Sequence, residues 1–173
     1  MFEVNDYVVY GTIGVCQVEE ICDSPMGGAD SSRKYYMLKP VYNVGNKVYT
    51  PVDSLKVSIR KILTEQEAWE LIHNIREIST IWVGDEKMRE NLYKAAIKSN
   101  DCHEWIKIIK TLYMRKEQRI AEGKQITATD SRYMQEAEKL LYGELALSLN
   151  IDRDKVVDYI NEQVAEIEEK ETN

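Results

Sequence analysis

A chain of 173 residues, 43% hydrophobic and 31% charged, carries enough apolar material for one good core or two modest ones, and too much for a disordered polymer. No stretch approaches the roughly 18 consecutive apolar residues of a membrane span, and Met1 to Asp6 has neither the basic nor the apolar character of a secretory signal, so a cytoplasmic protein without a membrane partner is expected. The net charge of −7 argues against a nucleic-acid footprint over the whole surface, but the charge is unevenly spread: residues 140–173 hold three basic and nine acidic side chains, whereas residues 60–139 hold fifteen and fourteen.

From residue 1 to about 60 the chain has the texture of strands. Val8 to Tyr10, Ile13 to Ile21, Tyr35 to Leu38, Val48 with Tyr49, and Val57 to Ile59 are short runs rich in β-branched and aromatic residues. Turn chemistry separates them: Gly11 to Gly14, Ser24 to Gly28, and Asn43 to Asn46. Five short strands in so small a module predict a small SH3-like β-barrel, because an open sheet of that size leaves long exposed edges.

Near Leu63 the apolar period changes from two to 3.6, which places a module boundary at about residue 60. Thr64-Glu65-Gln66-Glu67 is a capping box and predicts a helix to about Ile78, with Ala68, Leu71, Ile72 and Ile75 on one face. Gly84-Asp85 opens a second helix to about Ser99, and Asp101 a third that carries Trp105, Ile108, Ile109 and Leu112 and fades near Gly123. Asp130 opens a fourth to about Leu149, and Asp152 caps a fifth with Val156, Ile160, Val164 and Ile167 as its stripe. Five amphipathic helices with short connections make a compact bundle, so the fold class is α+β: a small barrel over residues 1–60 and an all-α unit over 61–173. Weak order is expected from Ser24 to Ser32 and after Glu168.

The residues offer no constellation for catalysis. His73 and His103 lie on helices, and neither begins an HExxH pattern or stands beside a spaced second ligand. Glycine-rich phosphate loops and a nucleophile elbow are missing from the sequence. Cys16, Cys22 and Cys102 are odd in number and outside any CxxC spacing, so reduced structural thiols are expected, with no metal, no cofactor and no enzymatic activity.

Residues 87–119 concentrate nine basic side chains against four acidic ones: Lys87, Arg89, Lys94, Lys98, Lys107, Lys110, Arg115, Lys116 and Arg119 face Glu90, Asp101, Glu104 and Glu117. Such an excess is either a solvated helix face or a surface for phosphates. Trp69 and Trp105 fall on apolar helix faces and are expected in the core. Trp82, in Ser79-Thr80-Ile81-Trp82-Val83-Gly84, has no such face. It either fills a gap between the first two helices or is an apolar anchor which, next to Lys87, Arg89 and Lys94, suits a distorted minor groove.

Phe2-x-x-Asn5-Asp6-Tyr7-Val8-Val9-Tyr10-Gly11-x-x-Gly14-Val15 resembles the opening of the CarD-like transcription regulators, the group of CarD, CdnL and transcription-repair coupling factor. Val18-x-x-Ile21, Tyr35-Tyr36-x-Leu38, Val48-Tyr49-Thr50-Pro51-Val52 and Ile59-Arg60 continue the same module. In the second half, Trp82, Asn91-Leu92-Tyr93-Lys94 and Ala137-x-x-Leu140-Leu141-x-Gly143-Glu144-Leu145-Ala146 extend the likeness over nearly the whole chain.

The resemblance implies a Tudor-like or SH3-like first domain that docks by a strand edge on the RNA polymerase β subunit. Ser24, Lys47, Val48, Tyr49, Thr50 and Pro51 are the residues it points to there. It implies a helical domain on promoter DNA, in which Trp82 wedges into the minor groove and Lys87 and Arg89 touch the backbone, so that the open complex is stabilised; Lys94, Lys124 and Arg132 are further candidates for backbone contact, and weak sequence specificity is expected. The protein would be a monomer, associated with the nucleoid through polymerase. Two departures stand out: the turn after Trp82 is about two residues longer than in some members, with Asp85 and Glu86 intervening, and Ser24 and Tyr49 stand where some members have arginines. The rival reading is a protein-only adaptor whose sheet binds a partner strand without any DNA contact.

Overall fold

A computed structural model describes residues 1–24, 33–81 and 84–172, and the chain divides into two compact units, Met1–Ile62 and Leu63–Asn173. The first unit is a five-stranded antiparallel sheet: β1 (Tyr7–Tyr10), β2 (Gly14–Asp23), β3 (Lys34–Pro40), β4 (Val48–Pro51) and β5 (Ile59–Lys61), in the order β4-β3-β2-β1-β5. The sheet is open, which corrects the expectation of a closed barrel. Its two edges fall to strands of four and three residues, and short edge strands are one way a sheet limits unwanted pairing.

Alternation along the strands explains the core. Val8, Tyr10, Cys16, Val18, Tyr36 and Leu38 pack on one face, with Phe2, Val48, Val52, Val57 and Ile59 closing over them. The register between β2 and β3 shifts between Val18 and Glu20, a bulge that bends the longest pair and places Glu19 beside Lys39 and Lys47. A 3-10 turn, Gly11–Ile13, links β1 to β2. Gly11 has φ +47°, and a Cβ there would stand 2.7 Å from Val57 Cγ1, so the turn needs glycine for both conformation and space.

The second unit is helical: α1 (Glu65–His73), α2 (Glu86–Lys98), α3 (Cys102–Ala121), α4 (Ala128–Ser148) and α5 (Val156–Thr172). The longest pair, α3 and α4, packs most extensively and centres the core on Trp105, Ile106, Ile108, Leu112, Leu141 and Leu145, all nearly inaccessible. Each such side chain contributes roughly 1.5–3 kcal/mol of burial. Trp69 is only half-buried, against Tyr159 and His73.

The caps follow the sequence reading at three of five helices. Thr64 accepts from the Glu67 amide while Glu67 reaches back to the Thr64 amide, Asp85 accepts from Met88, and Asp101 from His103. The other two differ. Thr127, not Asp130, caps α4, which releases Asp130 to pair with Arg115. Asp152 makes no cap bond: a 3-10 turn, Arg153–Lys155, precedes α5.

Helix α1 ends at His73 rather than near Ile78, because Asn74 turns its side-chain amide back to the Glu70 carbonyl and the chain then breaks into turns. The acidic end of α5, expected to be weakly ordered, is helical to Thr172, and Glu168 and Glu171 lie 3.7 and 3.1 Å from the Arg76 guanidinium. Of the other segment expected to be weakly ordered, residues 25–32 lie outside the described residues. No described helix is long and apolar enough to cross a membrane.

Candidate functional site

In the sheet unit the edge strand β4 presents most of the expected polymerase-binding residues. Thr50 is buried, Val48 half-buried, and Tyr49 exposed on the opposite face, where its hydroxyl donates to Met37 Sδ at 3.2 Å. Lys47 Nζ lies 3.4 Å from the Glu19 carboxylate and 3.7 Å from the same sulfur. Tyr49 and Lys47 thus converge on Met37.

The backbone of β4 decides what its edge can do. Val52 donates its N–H to the Lys34 carbonyl at 3.0 Å, and the register runs Tyr35 to Pro51, Tyr36 to Thr50, Met37 to Tyr49 and Leu38 to Val48. An antiparallel ladder alternates bonded and non-bonded pairs, so Thr50 and Val48 bond to β3 while Tyr49 turns both its N–H and its C=O outward. Pro51 faces the same way but has no N–H, and its carbonyl accepts from the Ser54 amide at 3.0 Å. The open edge is therefore short and centred on Tyr49. Ser24 does not join it: it follows the end of β2, and β3 lies between β2 and β4.

In the helical unit, α2 carries three of the expected DNA-binding cations. Lys87 is exposed and, among the described residues, has no ion-pair partner. Arg89 donates to the Gly84 carbonyl at 3.0 Å, which folds it over the start of its own helix. Lys94 Nζ stands 3.1 Å from Glu90, and Arg132 of α4 reaches the same carboxylate at 3.4 Å with its guanidinium 4.8 Å over the Tyr133 ring. The Tyr133 hydroxyl donates to Glu90 as well, at 3.1 Å. The Lys94 ammonium, the Tyr133 hydroxyl and the Arg132 charge hold Glu90 below the usual carboxylate range. One acid thus gathers Lys94 and Arg132 from two helices. Lys124 stands in the turn after α3, where Gly123 (φ +74°) ends the helix and Lys124 pairs with Glu122 at 3.0 Å.

Between the starts of α2 and α4 lies an open cleft of about 430 Å³ that brings Lys87, Arg89 and Tyr93 beside Asp85, Glu90 and Asp130. Its charge is mixed. Burial pushes the Tyr93 hydroxyl above its ordinary pKa, with Asp130 adding to the shift and Arg115 and Arg89 opposing it. The nine cations counted along residues 87–119 are also not all free for a ligand. Arg115 is held by Asp130 at 3.1 Å, Lys107 by Glu104 at 2.6 Å, Arg119 donates to the Gln125 carbonyl, and Lys110 donates to three backbone carbonyls. Trp82 lies outside the described residues.

Sequence reasoning missed two features of the helical unit. Lys110 was counted as a surface charge, and nothing in its helical neighbourhood signals its carbonyl partners 32 to 35 positions away. Glu144 appeared only as one letter of a motif, yet it is fully buried and accepts from the Leu63 amide and the Cys102 thiol.

An open five-stranded antiparallel sheet followed by a helical unit defines the class: a two-unit α+β protein. Residues 2–63 match the CarD-like/TRCF RID domain, and residues 71–161 match the CarD C-terminal domain. The chain belongs to the CarD-like family, whose members are non-enzymatic transcription factors, and it is a transcription-related protein that interacts with RNA polymerase.

Proposed function

We propose that the chain binds the RNA polymerase β subunit through the β4 edge, contacts promoter DNA through the helical unit, and stabilises the open complex. The observation that carries this reading is the β4 edge, where Tyr49 directs its N–H and C=O outward and a partner strand can add by backbone hydrogen bonding. Lys47, Val48, Thr50 and Pro51 shape that edge, and Ser24, which follows β2 away from the edge, is proposed as a separate polymerase contact. The family supports the polymerase partner. The exposed Lys87, with Arg89, Lys94 and Arg132 nearby on α2 and α4, supports backbone contact with DNA, which positions a protein without reading sequence. Lys124 extends that face, the protein acts as a monomer, and no cofactor takes part.

Trp82 is the proposed wedge. Stacking of an aromatic ring on an unstacked base is worth roughly 1–3 kcal/mol, or about a five- to hundredfold change in an equilibrium. Trp82→Ala is therefore expected to shorten the lifetime of polymerase-promoter open complexes by about that factor while leaving polymerase affinity and the melting temperature nearly unchanged. A large melting shift assigns Trp82 to the helical core instead, and an unchanged lifetime with the fold intact removes the wedge. If polymerase binding persists but no variant of the helical unit alters complex lifetime, the chain is a protein-only adaptor.

A further inference from the structure

Three donors from two helices converge on a single oxygen. Glu90 Oε1 on α2 lies 3.1 Å from the Lys94 ammonium of the same helix, and 3.4 and 3.1 Å from the Arg132 guanidinium and the Tyr133 hydroxyl of α4. The α4 donors are held from behind. Tyr133 is 4% exposed, its ring packs against the buried Tyr93 ring at 5.5 Å, and the Arg132 guanidinium lies 4.8 Å over it. The rim of the cluster is open, for the side chains of Glu90, Lys94 and Arg132 are 35%, 52% and 57% exposed.

The i,i+4 spacing accounts for Glu90 and Lys94 as ordinary helix stabilisation. It does not account for Arg132 and Tyr133, which stand 42 and 43 positions further along the chain. An anionic oxygen among an ammonium, a guanidinium and a hydroxyl is the arrangement in which proteins hold a backbone phosphate. The carboxylate fills that place here, kept ionised by Lys94 first and Tyr133 next. Ion pairs this exposed are weak enough to exchange partners.

We propose that Glu90 Oε1 occupies a phosphate site: Lys94, Arg132 and Tyr133 bind one DNA backbone phosphate, and Glu90 is its internal competitor, which keeps the donors gathered and restrains DNA affinity. The proposal rests on the reading of the α2 and α4 face as the DNA surface. When DNA binds, a phosphate oxygen takes the three donors and the Glu90 side chain turns away across the open rim. Two cations and one anion give the cluster a net charge of +1, and the neutral amide of Glu90→Gln raises it to +2.

The test uses full-length variants with polymerase-promoter complexes, titrated from about 50 to 200 mM salt, and polymerase alone as the reference. Glu90→Gln should tighten the DNA-dependent part of binding about threefold and steepen its log-log salt slope by about 1, because the released cations neutralise one more phosphate charge. Lys94→Ala with Arg132→Ala should weaken the same part about tenfold. In that background Glu90→Gln should change affinity by less than about 1.5-fold. A carboxylate that only repelled DNA from a distance would still be felt there, whereas one that competes for these two cations is not. Glu90→Ala, which removes the carboxylate altogether, should act in the same direction as Glu90→Gln.

Unchanged or weaker DNA-dependent binding in Glu90→Gln, the result expected if Glu90 serves only to tie α2 to α4, overturns the proposal. So does an equal gain with and without Lys94 and Arg132. If Lys94→Ala with Arg132→Ala by itself leaves DNA-dependent binding unchanged, this face does not touch DNA, and the functional reading of α2 and α4 fails together with the phosphate site.

Discussion

The buried carboxylate of Glu144 shows how much one side chain can organise. One of its oxygens accepts from the Leu63 amide at 2.9 Å and the other from the Cys102 thiol at 3.1 Å, while Ser148, one turn on, donates to the Leu63 carbonyl at 2.7 Å. Both backbone groups of the residue that opens the helical unit are thus held by α4. Glu144→Ala removes the acceptor of a buried thiol and a half-buried amide and is expected to cost about 3 kcal/mol. All three tryptophans lie in this unit, so urea unfolding followed by tryptophan fluorescence reads the loss directly. A midpoint shift matching less than about 1 kcal/mol would show that water replaces the carboxylate.

Cys16 supplies a second residue-level expectation. Burial pushes its thiol from 9.0 up to about 12. The folded chain therefore keeps the proton at pH values where the unfolded chain gives it up. Stability from this group is fully present below about pH 9 and is lost as pH rises towards 12, because the unfolded state then binds fewer protons than the folded one. Urea midpoints of the sheet unit, followed by its upfield methyl resonances, should fall between pH 8 and pH 11 and fall less in Cys16→Ala. Tyr142, whose hydroxyl is also pushed to about 12 by burial and by Glu138, adds a like dependence to the helical unit.

Among the elements, β4 is the one whose surroundings make the sharpest demand. Tyr49 is a position where proline can stand without breaking a bond to β3, since its N–H points to the open edge. Tyr49→Pro is therefore expected to leave the sheet folded and to weaken binding to the polymerase β subunit about tenfold or more, through one lost strand-to-strand bond and the missing tyrosine ring. Thr50→Pro removes a bond to β3 and should unfold the edge. Equal polymerase affinity for wild type and Tyr49→Pro, measured by titration of the β subunit, would move the docking edge to β5.

Helix α1 teaches a related lesson about elements. Its apolar spacing runs on through Ile75 and Ile78, and that spacing alone predicts a helix to Ile78. The helix stops at His73, and the following residues keep their apolar contacts in turns whose carbonyls are satisfied by Lys110 instead of by the next helical turn. Periodicity records which residues face inward. It does not record which backbone partner satisfies them.

Across the whole molecule, the acidic charge and the basic face coexist because they sit on different segments. Lys87→Ala with Arg89→Ala is expected to weaken the DNA-dependent part of binding and to reduce its log-log salt slope by about 1 to 2, since each neutralised phosphate releases condensed counterions. Polymerase affinity without DNA should not change. Measured from 50 to 200 mM salt, an unchanged slope would shift the DNA face to Lys124 and Arg132.

The sequence by itself determined the class of each unit, the three side-chain caps at Thr64, Asp85 and Asp101, and the apolar faces around Trp105 and Leu38. These are local properties: capping acts over three residues, and alternation or helical spacing over a few more. The tertiary structure alone decided that the sheet stays open, that Tyr49 rather than Thr50 faces its edge, that Asp130 pairs with Arg115 instead of capping α4, and that Lys110 anchors the connector before Trp82. Strand register, and the partner of a long charged side chain, depend on groups brought together from distant positions, so they are fixed only once the chain has folded.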